Sequence, residues 1–299
     1  MDILTHAGMG IIMAAPFAVT NPELALGLVF GSVAPDLDTF SRVFGKRAFL
    51  AWHQTYSHAL PLILFFAILM SPLVTGWFSR DICLGFAVGA VGHSLLDYSN
   101  TLGVTLLAPF SRHRFKLDWV FFIDLPVILA TAITAVIVLR IAVSTSALDF
   151  RAPSIAYGIF VIVYWAIKGR LHSLAASLAP AHTVSLIPSA AIPWIFLGFV
   201  RAEDEGCTFR LNLRTGKGER LATVSILDDE YASTLESLPE FRAMRSLSPC
   251  YHVAERKSSE AETELLCRDL RIRNFNTTFG DLRVWLSPSG KLNRYQFHV

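Results

Sequence analysis

A histidine and an aspartate four residues apart, His93 and Asp97, are the residues of this chain best placed to do chemistry together. In a helix, that spacing puts both side chains on one face, as two ligands of one metal ion require. Imidazole nitrogen combined with carboxylate oxygen suits zinc, manganese, iron or nickel, whereas calcium needs more oxygens and a structural zinc site would use cysteines. The pair therefore favours an open, catalytic metal site over a closed structural one.

Other ionisable residues at the borders of apolar stretches extend this pair. Such residues are costly near a membrane and are functional candidates by default. A single one of them more often caps a helix than binds a metal, but seven that converge from several helices reverse that expectation. We predict a metal site formed by His6, Asp36, Asp38, His53, His58, His93 and Asp97. Asp38, Asp97 and His58 are the candidate catalytic residues, with Asp38 as the partner of a ligand or as a general base. Asn100 is a candidate to orient a ligand or the substrate.

The composition indicates where these residues lie. Of the 299 residues, 53% are hydrophobic and 17% are charged, whereas about a quarter of an ordinary soluble domain is charged. Residues 1–200 hold 9 acidic and 11 basic side chains, and the last 99 hold 15 of each. We predict a mainly α fold: a polytopic helical transmembrane domain over 1–200, followed by a small cytoplasmic α+β, β-rich domain over 201–299. The basic residues are scattered, which argues against binding to nucleic acid.

The apolar stretches run over about 7–19, 24–34, 59–78, 82–96, 119–143 and 155–167. The first two form a predicted helical hairpin around Asn21-Pro22, and a full span needs about 20 residues, which 59–78 and 119–143 provide. Glycines four residues apart, at 27 and 31 and at 85 and 89, would let two helices approach closely, although membrane helices contain many glycines in any case.

The basic residues of the short loops predict the orientation. One side has eight of them and the other has Arg80, Arg140 and Arg151, so the side with eight is predicted to be cytoplasmic. Those eight are Arg42, Lys46, Arg47, Arg112, Arg114, Lys116, Lys168 and Arg170. The candidate metal residues then all lie at cytoplasmic ends of helices.

The last third of the chain changes character. Residues 186–200 are apolar but contain Pro188 and Pro193, so they are predicted to lie at the membrane interface, with a crossing as the alternative. Alternating patterns predict β-hairpins over 208–226 and 282–297, with a short helix near 229–238. The four cysteines have no CxxC spacing, and three of them lie in the tail, an odd number that argues against a closed set of disulfides and mildly favours a reducing compartment.

Four ordered motifs resemble a known family. They are DILTH at Asp2–His6, PDLD at Pro35–Asp38, HQTYSH at His53–His58 and GHSLLDYSNTLG at Gly92–Gly103. The set resembles the membrane-bound metal-dependent hydrolases, a family related to inner-membrane proteins described as LexA-binding putative hydrolases. The chain departs from that pattern at Gln54, where arginine is usual, and at Asp124-Leu125-Pro126, where Asp-Pro is usual. The resemblance implies a metal-dependent hydrolase without naming its substrate.

The leading hypothesis is an integral inner-membrane hydrolase that uses one to three divalent metal ions, zinc first and manganese, iron or nickel as alternatives. A site at headgroup depth predicts membrane lipids as partners and a phosphoester or other bond of a lipid or membrane-proximal substrate. The alternatives are an ion-coupled transporter or channel, and a regulatory membrane scaffold that acts through its tail. The oligomeric state is not predicted.

Overall fold

Two compact units make up the chain, Met1–Arg170 and Leu171–Val299. The structure is a computed structural model that describes residues 2–144, 149–202, 205–226, 228–271 and 280–298. The first unit is helical, and the second contains two antiparallel sheets of four strands each. The division falls at residue 170, whereas the sequence suggested a boundary at residue 200.

Side-chain caps start the first helices. The Asp2 carboxylate accepts the Thr5 N–H at 2.9 Å and begins α1 (Ile3–Ala14). Asn21 accepts the Leu24 N–H at 3.1 Å and begins α2 (Pro22–Val33), whose first residue is a proline that needs no hydrogen-bond acceptor there. The predicted hairpin around Asn21-Pro22 is confirmed.

The remaining helices follow in chain order, and the last of them runs past Arg170, where the first unit ends. A 3-10 segment (Ala34–Phe44) follows α2, and then come α3 (Lys46–Trp52), α4 (Leu60–Met70), α5 (Arg80–Tyr98), α6 (Leu125–Ser144) and α7 (Arg151–Leu178). Among the described residues, α6 and α7 are the two helices long and apolar enough to cross a membrane. The predicted span over 59–78 is wrong, because α4 stops before Ser71-Pro72 and its 11 residues rise only about 16 Å.

Helices α2 and α5 are parallel and pack through glycines. A Cβ added at Gly31 would lie 2.2 Å from the Phe86 carbonyl oxygen, and one added at Gly85 would lie 2.4 Å from that of Leu24. Gly27 and Gly89 are equally close to the facing backbone. The four-residue glycine spacing therefore marks a real backbone contact, as small residues do between membrane helices.

The second unit contains both sheets and two short helices. Strands β1 (Thr183–Pro188), β2 (Ile195–Arg201), β3 (Glu205–Asn212) and β4 (Lys217–Ser225) pair in order, as do β5 (Tyr251–Ser258), β6 (Thr263–Asp269), β7 (Leu282–Leu286) and β8 (Leu292–Phe297). Between the two sheets in sequence lie α8 (Asp228–Ser237) and α9 (Pro239–Leu247). The two predicted hairpins and the predicted short helix are confirmed.

Residues 186–200 differ from their prediction. They form most of β1 and β2, which pair from Thr183↔Val200 to Pro188↔Phe196, instead of a segment at the membrane interface. Phe196 and Phe199 are fully buried in the core of the second unit. The apolar run thus reflects strands that are buried in protein, and the two prolines flank the turn between them.

A buried ion pair ties the end of β6 to the chain that follows it. The Arg271 guanidinium donates to the Asp269 carboxylate at 2.7 to 3.1 Å, and both residues are buried. Burial alone would raise the pKa of Asp269, but the charge and hydrogen bonds of Arg271 outweigh it and hold that pKa below its usual value.

The contact between α2 and α5 predicts which glycine-to-alanine substitutions the first unit tolerates. Gly31→Ala and Gly85→Ala should each lower the free energy of unfolding by about 1–3 kcal/mol, because the added methyl group meets backbone. Gly92→Ala, on α5 with nothing within 4 Å, is the matched control and should change it by about 1 kcal/mol or less. Thermal unfolding in detergent measures the difference, and equal losses at positions 31 and 92 would contradict it.

The Asp269 pair predicts a dependence of stability on pH. A folded-state pKa below the unfolded value of about 4 means that the stabilisation is present above that pH and is lost as the pH falls through the folded pKa. At neutral pH, Asp269→Asn should cost about 3–5 kcal/mol, because it removes the carboxylate charge that balances the buried Arg271 guanidinium. Hydrogen exchange of the β5–β6 peptides measures this, and the gap between the variant and the natural chain should narrow below about pH 4.

Candidate metal centre

Four predicted residues meet at one end of the helices of the first unit. Asp36 lies in the 3-10 segment just after α2, and His58 comes two residues before α4. His93 and Asp97 lie in the last two turns of α5. One donor atom from each side chain lies within 4.8 Å of those of the other three, and all four residues are buried.

The donor separations suit a metal ion. His58 Nε2 lies 3.1 Å from His93 Nε2 and 3.4 Å from Asp97 Oδ2, and His93 Nε2 lies 3.5 Å from Asp36 Oδ1. Two further pairs, His58 to Asp36 and His93 to Asp97, are each 3.8 Å apart. Metal–ligand bonds of 2.0–2.1 Å at tetrahedral angles place donors about 3.3 Å apart. The set is therefore close to binding geometry.

The hydrogen bonds of the two histidines point their lone pairs at each other. His93 Nδ1 lies 2.8 Å from the Ser32 carbonyl oxygen, which can only accept, so Nδ1 carries the proton. His58 Nδ1 lies 3.0 Å from Ser57 Oγ, whose own hydrogen goes to Asp38 Oδ2, so this Nδ1 is also the donor. Both Nε2 atoms then present lone pairs at 3.1 Å. A cation between them would relieve that repulsion.

Asp36 completes the case for a cation. Its carboxylate is 5% exposed, and Oδ2 has no hydrogen-bond partner among the described residues. A buried carboxylate is stable when it is paired or when it coordinates a metal. Asp36 Oδ1, which faces the two imidazoles, and the unpaired Oδ2 of the same carboxylate together fit a divalent metal ion.

Asp38 lies behind His58 and not among the four donors. Its Oδ2 accepts from the Gln54 backbone N–H at 2.8 Å and from the Ser57 hydroxyl, while Oδ1 lies 2.7 Å from His53 Nδ1. The carboxylate thus orients both histidines of the HQTYSH motif. This is the usual partner of a metal-binding histidine.

His53 lies further out than predicted for a ligand. Its side chain is a quarter exposed and its ring stacks on Phe49 at 4.6 Å between centroids. Arg114 donates to the carbonyl oxygens of His53 and Gly103, which joins the two loops around the site. Burial lowers the pKa of Arg114 to about 10, against the opposing effect of Asp38, so the guanidinium stays charged at neutral pH.

The remaining contacts hold Asp97. His6 Nε2 lies 3.1 Å from Asp97 Oδ1, and the His6 ring stacks on that of His93, so His6 touches the group without belonging to it. Asn100 Oδ1 accepts the N–H groups of Leu102 and Gly103, which turns its Nδ2 toward Asp97 Oδ1 at 3.2 Å. Asn100 therefore orients a donor, one of the two roles that its position suggested.

A second buried polar cluster joins α6 and α7. The Tyr164 hydroxyl donates to Asp124 Oδ1 at 2.8 Å, and Lys168 Nζ lies 3.5 Å from Asp124 Oδ2. The Lys168 side chain is fully buried, although its place after an apolar stretch predicted a basic loop residue. One turn away, Trp165 Nε1 donates to Ser99 Oγ at 2.8 Å, next to the end of α5.

Sequence reasoning missed Ser57, Tyr164 and the burial of Lys168. A serine between two motif residues has no signal of its own, because its role depends on the turn that brings it to Asp38. Tyr164 and Lys168 could have been found, since polar groups spaced four apart on an apolar helix mark an internal polar cluster.

Comparison with known proteins places the first unit in a family. The family model described as YdjM inner membrane protein matches residues 1–175. A protein of Bacillus subtilis (strain 168) described as "Uncharacterized protein YfhP" is 25% identical over 125 residues. That match covers 38% of this chain and 38% of the relative's length. No solved structure matches the chain.

The Asp124–Lys168 pair predicts an asymmetry between single and double substitutions. Lys168→Met should cost about 3–5 kcal/mol, because it leaves a buried carboxylate unpaired. Adding Asp124→Leu should restore part of that loss by removing the stranded charge. Unfolding temperatures in detergent give the comparison, and a double variant as unstable as the sum of the two single variants would rule out direct pairing.

Proposed function

Because the chain belongs to the YdjM inner membrane protein family, we propose that it is an integral membrane hydrolase that depends on a divalent metal ion. The observation that carries this proposal is the buried group Asp36, His58, His93 and Asp97, in which two imidazole lone pairs face each other. Asp36 Oδ1 lies 3.5 Å from one of them, and the other oxygen of that carboxylate has no hydrogen-bond partner among the described residues.

These four residues would hold the metal, with zinc the first choice and manganese, iron or nickel as alternatives. When bound, a divalent ion supplies Lewis-acid polarisation of the scissile group and lowers the pKa of water toward about 7. The donors are nitrogen and oxygen atoms without cysteine among them, and this mixture supports a catalytic site over a structural one.

The surrounding residues have separate tasks in this proposal. Asp38 holds His58 through Ser57 and orients His53, so we assign it a positioning role. With Nδ1 bonded to Asp38, His53 can accept or release a proton at Nε2 from the partly exposed edge of the site. His6 and Asn100 hold Asp97 from the other side.

The arrangement of the helices supports a polytopic protein with its site at one membrane face. Besides α6 and α7, the 19 residues of α5 rise about 28 Å, close to the hydrocarbon thickness of about 30 Å. Arg80 and Asp81 are at one end of α5, and His93 and Asp97 are at the other. That depth favours a phosphoester or other bond of a lipid headgroup or membrane-proximal substrate.

We place the site and the second unit on the cytoplasmic side. Setting aside the buried Lys168, seven of the eight predicted basic residues remain on the side of the site, against three on the other. An excess of lysine and arginine in short loops marks the cytoplasmic face.

Metal content is the first test of this proposal. The full chain, purified in detergent and loaded in turn with zinc, manganese, iron and nickel, should retain at least one ion per chain by elemental analysis. His93→Ala should lose it because the nitrogen donor is removed, and the isosteric Asp36→Asn should lose it because a neutral amide oxygen replaces the charged carboxylate. His113→Ala, a change to an exposed loop histidine, is the matched control and should keep it. Absence of a stoichiometric metal before and after loading would overturn the proposal.

Hydrolysis is the second test. Release of product from labelled phospholipids should need the metal and should fall to background in Asp36→Asn, provided that this variant keeps the helical content of the natural chain. The His113→Ala control should keep full activity. Ion uptake into liposomes without any product release would instead identify a transporter.

A further inference from the structure

An apolar groove opens between three helices of the first unit. Its cavity of about 280 Å³ is lined by side chains of α2, α4 and α5, among them Leu26, Phe30, Phe66, Ala67, Cys83 and Phe86. All the lining residues are apolar or glycine. The volume is near the lower end of small-molecule sites, which begin at about 300 Å³.

The same three helices connect this groove to the metal centre. Phe86 precedes His93 by seven residues on α5, a rise of about 10 Å. On α2, Phe30 lies two residues before Ser32, whose carbonyl oxygen accepts a hydrogen bond from His93 Nδ1. On α4, Phe66 lies less than two turns beyond Leu60, the first residue of the helix after His58. A long ligand with its reactive group at the donors would reach the groove.

The depth of the groove identifies its occupant. Half of the hydrocarbon core is about 15 Å thick, so a lipid whose headgroup is at the face of the site has its chains about 10 Å deeper. Ring faces, a thioether and methyl groups line the groove, and such a surface contacts alkyl chains without any unsatisfied polar group.

We propose that this groove binds one acyl chain of a phospholipid whose headgroup lies at the metal centre. The assignment rests on the proposed function for its chemical consequence, because it makes the substrate a lipid with at least one long chain. Phe30, Phe66 and Phe86 would flank that chain, and Ala67 would form the floor. Ala67 is 8% exposed, which leaves little room for a larger side chain without filling the groove.

Native mass spectrometry of the full chain, purified in detergent and exposed to dioleoyl phosphatidylglycerol, tests the assignment. The natural chain should retain one lipid molecule, and Ala67→Trp should reduce the retained fraction at least tenfold. The matched control is Ala132→Trp, on an exposed face of α6, and it should retain the lipid. Since Ala67→Trp can disturb folding, Leu26→Trp at the half-exposed rim of the groove is the second variant and should give the same loss.

The outcomes separate the groove from the hydrolase. Equal retention in folded Ala67→Trp, Leu26→Trp and Ala132→Trp would overturn the acyl-chain assignment, whatever the metal content. Loss of lipid only in the two groove variants supports it even if no metal or hydrolysis is found. If hydrolysis is found, Ala67→Trp should raise KM for dioleoyl lipid at least tenfold and leave KM for dihexanoyl lipid unchanged, and equal effects on both would also count against the groove.

Discussion

The close parallel contact of α2 and α5 is the constraint on which the site depends. The backbone of each helix lies where a Cβ on the other would be, at Gly27 and Gly31 of α2 and at Gly85 and Gly89 of α5. That close contact brings the Ser32 carbonyl oxygen within 2.8 Å of His93 Nδ1. Because the segment that contains Asp36 follows α2 directly, the same contact also places Asp36 near the end of α5. Side chains at these positions would push the two helices apart, and with them the donors, which lie 3.1 to 3.8 Å from one another.

Around that contact, most of the donors are held by a group whose own orientation is already determined. Asn100 is locked by two backbone N–H groups before it turns to Asp97, and Ser57 is bonded to Asp38 before it accepts from His58. Such support fixes both the tautomer and the direction of a ring, which is why the partners of ligands matter nearly as much as the ligands. Asp36 differs, because one of its buried oxygens has no such partner among the described residues.

Much of the site could be predicted from sequence because its signals are local. The spacing of His93 and Asp97, the Asn21-Pro22 turn and the glycine spacing each act through one helix or one turn, and the structure has all three. Which residues stand in the donor group and which stand behind it could not be predicted. His6, His53 and Asp38 lie only a few ångströms from the four donors, and the packing between helices determines which side chains reach the donor group.

The errors over residues 186–200 and at Lys168 have a common physical origin. An apolar stretch indicates that its side chains are shielded from water, but it does not indicate whether lipid or protein shields them. The span predicted over 59–78 failed for another reason, which is the Ser71-Pro72 break after α4. Residues 186–200 are apolar because Phe196 and Phe199 lie inside the second unit. Lys168 is the converse case, because a charged residue usually indicates solvent, yet this one is buried beside Asp124.

The burial of the four donors also affects how fast a bound metal ion could exchange. His58 and Asp97 are fully enclosed, and His93 and Asp36 nearly so. An ion held there would leave through a local opening of the surrounding chain. Arg114 resists one such opening, because it bridges the loops before α4 and after α5 through two backbone carbonyls. Such a metal would have a long residence time, and a chelator in solution would remove it at the rate of that opening and not at the rate of diffusion.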